Sequence, residues 1–169
     1  MNARDVVDIY IKLENLGVKI WIDGGWSVDA LLGEKIREHQ DLDIAINQKD
    51  VISLLKFLKT EGYKEIRKDS EYNLVFRNNF NREIDIHAFI RDEKENVIGG
   101  IMYPTESLTG SGTINGHTVK CISPEYMVQF LAEWVHKHPY KYLKDISALC
   151  EKFSIKLPEE YISFKNKSR

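Results

Sequence analysis

The sequence predicts an α/β (α+β) protein with a small mixed β-sheet, helices packed on one face of it, and further C-terminal helices. Three observations lead to this fold class. The runs at 41–46 and 83–89 alternate apolar and polar residues, which is the period of a half-buried strand. Elsewhere, apolar residues recur every three or four positions, as in amphipathic helices. The order of helices and strands matches neither a doubly wound fold nor a helical bundle.

Composition indicates a soluble protein of one domain. The 169 residues divide into a predicted core at 1–122 and a helical segment at 123–169, packed on that core as a single compact unit. Lys and Arg number 24 against 26 for Asp and Glu, so the net charge of −2 makes nucleic acid an unlikely partner. Cys121 and Cys150 match no metal-ligand spacing and indicate reduced thiols in the cytoplasm. No apolar run predicts a membrane span or a signal peptide.

The first elements are predicted from caps, breakers and apolar spacing. Asn2, followed three residues later by an acidic side chain, predicts the N-cap of a helix that ends at Gly17. A short apolar strand at 18–22 follows. A Gly-Gly pair then leads into a helix over residues 26–32, which Gly33 closes.

A helix and several strands make up the middle of the chain. Asn47 predicts the N-cap of a helix that ends at Gly62. Strands at 63–67 and 72–77, joined by a charged turn, come before the strand at 83–89. Residues 91–112 carry several glycines and are predicted to be loop, with one short strand at most.

The last third is predicted to be a hairpin followed by helices. An Asn-Gly pair at 115–116 predicts the hairpin turn. A Ser-Pro-Glu start at 123–125 begins a helix, and a His-Pro pair at 138–139 separates it from a last long helix. The basic tail at 165–169 is too short for a nucleic-acid-binding arm, and we expect it to fray.

Three aspartates are candidates for one site. Asp41 and Asp43 share a face of their strand, and Asp85 and His87 share a face of the later strand. If the strands are neighbours, three carboxylates converge and repel one another unless a cation lies among them. Mg²⁺ prefers such oxygen ligands and shares them with substrate phosphates. The alternative is that Asp-x-Asp is simply the solvated face of an amphipathic strand.

The Gly24–Gly25 pair ends a strand and opens a helix. Residues without Cβ let the backbone approach a phosphate, and the helix N-terminus adds free N–H groups and a partial positive charge. An ordinary turn is the alternative interpretation. The position of the pair, one helix before the aspartates, favours phosphate binding.

Three strings carry a resemblance to a known family: Gly-Gly-Trp-Ser at 24–27, Arg-Glu-His-Gln-Asp-Leu-Asp-Ile at 37–44 and Ile-Asp-Ile-His at 84–87. They resemble the nucleotidyltransferase superfamily that includes DNA polymerase β, and within it the small antibiotic O-nucleotidyltransferases. The lincosamide enzymes are most similar, followed by the aminoglycoside 2''-nucleotidyltransferases. The resemblance implies the nucleotidyltransferase (polymerase β-like) fold and an enzyme that joins a nucleoside monophosphate to a hydroxyl with release of pyrophosphate.

The resemblance also implies roles for individual residues. It assigns Mg²⁺, as two ions, to Asp41, Asp43 and Asp85, and makes Asp85 the catalytic base as well. It also implies that Gly24, Gly25, Ser27 and Lys144 bind the nucleotide, although a solvated surface lysine is the alternative for Lys144. From their positions, Trp26 is a candidate to stack the base and Arg37 and His39 are candidates to contact phosphate; a core tryptophan and ordinary loop residues are the alternatives. The candidate acceptor-binding residues are His87, Tyr103 and Glu106, and a structural hydrogen-bonding histidine is the alternative for His87. The superfamily more often has Ser directly after the glycines, so the role of Ser27 stays open here.

The acceptor is predicted from the chemistry of its site. We expect ATP to adenylylate a lincosamide first and an aminoglycoside second, with antibiotic resistance as the result. A polycationic aminoglycoside needs carboxylates, for which the candidates are Asp92, Glu93, Glu95 and Glu106. A lincosamide needs an apolar pocket, for which the candidates are Tyr103 and Trp134.

Two other functions stay open. The same fold can modify a protein or tRNA, as the nucleotidyltransferases of toxin–antitoxin systems do. A catalytically silent module that only holds a nucleotide is the third hypothesis, but such a module has no need for a cluster of like charges. Since small enzymes of this group often build acceptor sites at a dimer interface, a homodimer is a further expectation.

Overall fold

The computed structural model describes residues 1–167, with the backbone alone over 164–167. The side chains of the predicted basic tail, 165–169, therefore lie outside the described residues. Within the described residues, no helix is both long enough and apolar enough to cross a bilayer. The predicted division at residues 122 and 123 stays a prediction.

The described residues form six α-helices and eight strands. The helices are α1 (Ala3–Asn15), α2 (Gly24–Leu32), α3 (Gln48–Thr60), α4 (Pro124–Trp134), α5 (Pro139–Phe153) and α6 (Glu159–Lys167). The strands are β1 (Ile20–Ile22), β2 (Asp41–Asn47), β3 (Lys64–Lys68), β4 (Asn73–Arg77), β5 (Glu83–Arg91), β6 (Val97–Gly100), β7 (Gly110–Ile114) and β8 (His117–Cys121). A short 3₁₀ helix covers Thr105–Thr109.

The strands form one mixed sheet, as the sequence predicts. Its order is β3-β4-β5-β2-β1-β8-β7, and β6 pairs with the end of β5. The pairs β2–β5 and β1–β8 are parallel, and the other pairs are antiparallel. The two strands that carry the predicted aspartates, β2 and β5, are therefore direct neighbours near the middle of the sheet.

Two predicted helix caps are present. The Asn2 side chain accepts from the N–H of Asp5, and the Asp5 carboxylate accepts from the N–H of Asn2, which completes a capping box on α1. Asn47 caps α3 through the N–H of Lys49. The prediction for α2 was wrong by two residues, because this helix begins at Gly24 and is capped by Asp23.

The core lies against the apolar face of the two central strands. Leu42, Ile44 and Ile46 of β2 are fully buried, as are Ile84 and Ile86 of β5. The side chains between them point to the opposite face, which holds the aspartates. The alternation in the sequence therefore predicted both strands and the direction of their polar side chains correctly.

The segment 91–112 contains more structure than the sequence indicates. Strand β6 is paired with β5 through Gly99 and Gly100, and the 3₁₀ helix follows it. Strand β7 begins at Gly110, although the sequence predicts loop up to residue 112. Glycine-rich strands show no alternation, so only pairing with distant strands reveals them.

Candidate active site

The register of β2 and β5 brings the predicted aspartates together. Asp43 pairs with Asp85, and Asp41 pairs with Glu83. One ligand atom each from Asp43, Asp85 and His87 lies within 4.8 Å of the others. Asp41 is not in that group of three, although its charge acts on Asp43. Three of the four polar residues predicted on this face thus form one cluster, and its two carboxylates offer the oxygen ligands that a divalent ion prefers.

The cluster has an excess of negative charge. Burial, followed by the charges of Asp41 and Asp23, raises the pKa of Asp43 to about 7. The positive charge of His87 opposes this rise without cancelling it. A carboxylate whose pKa is raised this far is stabilised in its ionised form by a nearby cation. Its oxygens are also the ligands that a hard divalent ion prefers.

The start of α2 lies directly against this cluster. A Cβ at Gly24 would overlap the Asp43 carboxylate, and Gly24 has a φ of +58°, in the left-handed region. A Cβ at Gly25 would overlap His39 and Arg37. Glycine is therefore required at both positions, at Gly24 because of Asp43 and at Gly25 because of His39 and Arg37. The result is that the first turn of α2, with its free N–H groups and partial positive charge, borders the carboxylates.

His87 lies between two carboxylates. Its Nε2 is 3.3 Å from Asp85 Oδ1, and its Nδ1 is 3.6 Å from Asp23 Oδ2. Burial lowers the pKa of His87, but its contacts with Asp23 and Asp85 outweigh burial and raise the pKa to about 10. His87 is therefore a cation within the cluster.

Asp85 is held on both of its oxygens. Asn73 of β4 donates to Oδ1 over 2.6 Å, and Arg67 of β3 donates to Oδ2 over 3.3 Å. Arg67 also donates to Asp69 over 2.8 Å. The side chain of the predicted catalytic base is therefore fixed in direction by two neighbouring strands.

Arg37 and His39 belong to a buried polar network. Arg37 donates from Nη2 to Asp145 over 2.7 Å and from Nη1 to His39 Nδ1 over 2.9 Å. Because an arginine only donates, His39 Nδ1 accepts and its Nε2 carries the proton that it donates to Asp29 over 2.5 Å. Asp145 is fully buried, so this network ties α5 to α2 through the loop at 34–40.

Three other predicted nucleotide-binding side chains lie away from the carboxylates. Trp26 is 1% exposed and its ring contacts that of His39. Ser27 is fully buried, and its hydroxyl has no hydrogen-bond partner among the described residues. Lys144 is exposed and donates to the carbonyl of Ile36 over 2.6 Å. Their predicted nucleotide-binding roles stay predictions.

A cleft of about 380 Å³ opens above the cluster. Its floor is Asp23, Gly24, Gly25, Asp43, Asn73 and His87. Its walls are mainly apolar and are formed by Ile101, Met102, Tyr103, Met127, Phe130, Leu131, Trp134, Lys141 and Tyr142. The predicted acceptor residues His87 and Tyr103 therefore line one cleft, together with Trp134.

The acidic acceptor candidates lie elsewhere. Glu106 is exposed on the 3₁₀ helix and does not line this cleft. Asp92, Glu93 and Glu95 are in the turn between β5 and β6, where Asp92 accepts from the N–H groups of the turn and Glu95 pairs with Arg91. The walls of the cleft consequently carry no carboxylate from this group.

Several residues of the site were not predicted from the sequence. Asp23 had a detectable signal, because an aspartate directly before a helix start is a preferred N-cap. Asn73 and Arg67 had no such signal, since only sheet pairing brings β4 beside β5 and β3 beside β4. Lys141 and Tyr142 reach the cleft from the first turn of α5.

Comparison with solved structures identifies the fold. ANT(2'')-Ia, solved in complex with adenylyl-2''-tobramycin, matches with a TM-score of 0.78 at 19% identity, over 99% of this chain and 98% of that one. The lincosamide antibiotic adenylyltransferase LnuA, solved with lincomycin bound, matches with a TM-score of 0.74 at 23% identity, over 90% of this chain and 97% of that one. The fold is therefore the predicted nucleotidyltransferase fold.

The sequence then gives the family. The profile of the aminoglycoside-2''-adenylyltransferase family matches residues 5–142, and the chain belongs to that family. A lincosamide resistance protein of Staphylococcus haemolyticus is 37% identical over 64 residues, which is 38% of this chain and 40% of that protein. The alignment with this curated relative thus spans less than half of its length. These relatives confirm the predicted superfamily and the antibiotic subgroup within it.

Proposed function

We propose that the protein is a Mg²⁺-dependent adenylyltransferase that transfers AMP from ATP to a hydroxyl of a small antibiotic and releases pyrophosphate. A lincosamide is the first acceptor and an aminoglycoside the second. The observation that carries this proposal is the convergence of Asp43, Asp85 and His87 beside the glycine start of α2, at the floor of an apolar cleft.

The residues present fit divalent metal ions. Asp43 and Asp85 offer oxygens close enough to share an ion, and burial followed by the charges of Asp41 and Asp23 raises the pKa of Asp43. In this proposal Asp41 joins them and two ions are held. When bound, Mg²⁺ neutralises the charge of the triphosphate and of the leaving pyrophosphate.

The first turn of α2 is suited to hold the phosphates. Gly24 and Gly25 line the cleft, and the absence of a Cβ lets this turn pack closely against Asp43 and against the Arg37–His39 network. The free N–H groups of a helix N-terminus donate to anions, and the helix dipole adds to the attraction. The buried Arg37–His39 network lies behind Gly25 and supports this turn from the protein side.

Asp85 is suited to take the proton of the acceptor hydroxyl. Its carboxylate lies in the cluster, and Asn73 and Arg67 fix its direction. His87 borders the cleft beside it, and as a cation it stabilises the negative charge of neighbouring groups. General base catalysis by a carboxylate needs such a fixed geometry more than a strongly raised pKa.

The walls of the cleft support a lincosamide over an aminoglycoside. Phe130, Leu131 and Trp134 present apolar surface, and Lys141 adds a positive charge that repels a polycation. The carboxylates proposed for an aminoglycoside lie outside the cleft. Burial of apolar surface in this cleft stabilises a bound apolar acceptor. A polycation is attracted only by the carboxylates of the floor.

Pyrophosphate release tests the proposal. The protein is incubated with ATP and Mg²⁺ and with lincomycin, kanamycin or no acceptor, beside an Asp85→Ala variant and a Glu83→Gln variant. Glu83 lies on the same strand but pairs with Arg77 outside the cluster, so it is a matched control. We expect release that requires lincomycin, is lost in Asp85→Ala and persists in Glu83→Gln.

Other results select the remaining hypotheses. Release that depends on kanamycin alone selects the aminoglycoside. Transfer of a labelled adenylyl group to protein or tRNA in a lysate selects a macromolecular acceptor, and ATP binding without Mg²⁺ or any release selects a silent module. The use of ATP implies a cytoplasmic reaction. A homodimer stays a prediction, which the mass of the protein in solution tests.

A further inference from the structure

Asp23 contacts four of the segments that form the site. Its Oδ1 accepts from the N–H of Gly24 over 2.7 Å, and its Oδ2 accepts from the Tyr103 hydroxyl over 2.6 Å. The same Oδ2 is 3.6 Å from His87 Nδ1. The backbone N–H of Asp23 donates to the carbonyl of Asp43 over 2.9 Å. A single residue thus touches α2, β2, β5 and the segment that precedes the 3₁₀ helix.

The two oxygens of Asp23 serve different sides of the cleft. Oδ1 caps α2, whose first turn is the proposed phosphate site. Oδ2 holds Tyr103, which forms a wall of the cleft, and contacts His87, which contacts Asp85. Because Tyr103 is 6% exposed and Asp23 is 8% exposed, little water competes for these bonds.

Tyr103 and His87 also contact each other. The Tyr103 hydroxyl is 3.2 Å from His87 Nδ1, so Asp23, Tyr103 and His87 form a closed triangle of polar contacts. A displacement of any one of the three changes the position of the other two. His87 in turn lies 3.3 Å from Asp85, the proposed base.

We propose that Asp23 is a positioning residue that couples the nucleotide side of the site to the acceptor side. It holds the glycine turn through Oδ1 and holds Tyr103 and His87 through Oδ2, so that the phosphates and the acceptor hydroxyl meet at a fixed separation. This inference rests on the proposed function. Positioning of this kind has a large effect, because a displacement of about 1 Å at a reacting group costs about a hundredfold in rate.

Two substitutions separate the two halves of the role. Asp23→Asn retains an oxygen for the N–H of Gly24 but replaces the oxygen that accepts from Tyr103 with an amide group. We expect its kcat to fall by about ten- to a hundredfold and its KM for the acceptor to rise, with the KM for ATP nearly unchanged. Asp23→Ala removes both contacts, and its KM for ATP should rise as well.

A double-mutant cycle tests the link to Tyr103. Tyr103→Phe removes only the hydroxyl, so it should reproduce the effect of Asp23→Asn, and the two together should cost little more than either alone. Asn47→Ala is the matched control, because it removes the N-cap of α3 at the far end of β2. It should lower the melting temperature about as much as Asp23→Asn does, and it should leave both KM values unchanged.

Nitrogen-15 NMR of the His87 ring gives a readout that does not need catalysis. In Asp23→Asn the Nδ1 resonance should shift, and in Asn47→Ala it should not. If the wild type is active and Asp23→Asn matches it in kcat and in both KM values, the inference is wrong and the proposed function stands. An inactive wild type would reject the proposed function, and the NMR shift alone then decides for or against the triangle.

Discussion

Asp43 lies directly opposite Asp85 across the parallel pair of β2 and β5. Because the two residues are paired, their carboxylates point to the same face of the sheet. Neighbouring strands are about 4.8 Å apart, so the two side chains lie close together. The residues that follow them, Ile44 and Ile86, are fully buried on the opposite face and fix this register. The repulsion between the carboxylates is therefore built into the sheet and is present before any substrate binds.

The first prediction concerns Asp43→Asn in the metal-free protein. The folded state raises the pKa of Asp43 to about 7, so the ionised carboxylate destabilises the fold at every pH above that value. The amide removes this penalty. We expect the variant to be more stable by about 1–2 kcal/mol at pH 8 and to lose adenylyl transfer. Urea unfolding in EDTA measures the gain.

The pH dependence of this gain has a definite sign. Below the ordinary pKa of an aspartate the carboxyl is protonated in both states, so the gain should shrink as the pH falls from 7 to 4. Asp8→Asn serves as the control, because Asp8 is a mostly exposed partner of Lys12. Equal stability of wild type and Asp43→Asn at pH 8 would contradict the prediction.

The second prediction concerns Gly24→Ala. A Cβ at this position meets the Asp43 carboxylate and adds strain at a positive φ, so the substitution should cost about 2–3 kcal/mol and displace the first turn of α2. Gly17→Ala is the matched control, since Gly17 has a φ of +72° but no atom within 4 Å of the added Cβ. It should cost about 1 kcal/mol, the backbone term alone.

Thermal unfolding and pyrophosphate release measure both glycine variants. We expect Gly17→Ala to retain activity at a temperature at which it is folded, and Gly24→Ala to lose it even when folded. If the two variants lose equal stability and both stay active, the close approach of α2 to Asp43 has no functional meaning.

Much of the site was predictable because its residues alternate along strands. The period of two in β2 and β5 showed that Asp43, Asp85 and His87 share a face, and parallel neighbours then place them together. The caps Asn2 and Asn47 were predictable for a similar reason, since their bonds are local.

The remaining parts depend on contacts between distant segments. Arg67 reaches Asp85 only because β3 follows β4 in the sheet, and the sequence has no period that shows this order. Helix α2 begins at Gly24 although glycine disfavours helices, because the cap from Asp23 and the approach to Asp43 outweigh its low propensity. The sequence allows one short strand within 91–112 but does not locate β6, because pairing with β5 outweighs the weak strand propensity of Gly99 and Gly100.

The third prediction distinguishes the two antibiotic classes. Trp134 is 49% exposed and lines the cleft, so Trp134→Glu exchanges an aromatic wall for a carboxylate with little effect on the core. We expect the KM for lincomycin to rise about five- to tenfold through loss of apolar contact. The KM for kanamycin should fall, since the new charge attracts a polycation. Initial rates with each acceptor measure both changes.

Phe80→Glu controls for the added charge. Phe80 is 80% exposed on the turn between β4 and β5 and does not line the cleft. Both KM values should therefore stay within about twofold of the wild type, a change worth less than 0.5 kcal/mol. An unchanged KM for lincomycin in Trp134→Glu would contradict the prediction and show that this acceptor does not contact Trp134.

The fourth prediction concerns Arg37→Ala. Asp145 is fully buried and its charge is balanced by Arg37, whose side chain is 16% exposed. Removing the arginine leaves a buried charge without a partner, which costs about 3–5 kcal/mol. Arg77→Ala breaks a pair that is 44% and 21% exposed and should cost less than about 1 kcal/mol. Urea unfolding measures both variants.

The double variant Arg37→Ala with Asp145→Ala should recover part of the lost stability, because it no longer buries an unpaired charge. No recovery would show that Arg37 stabilises the fold through other contacts.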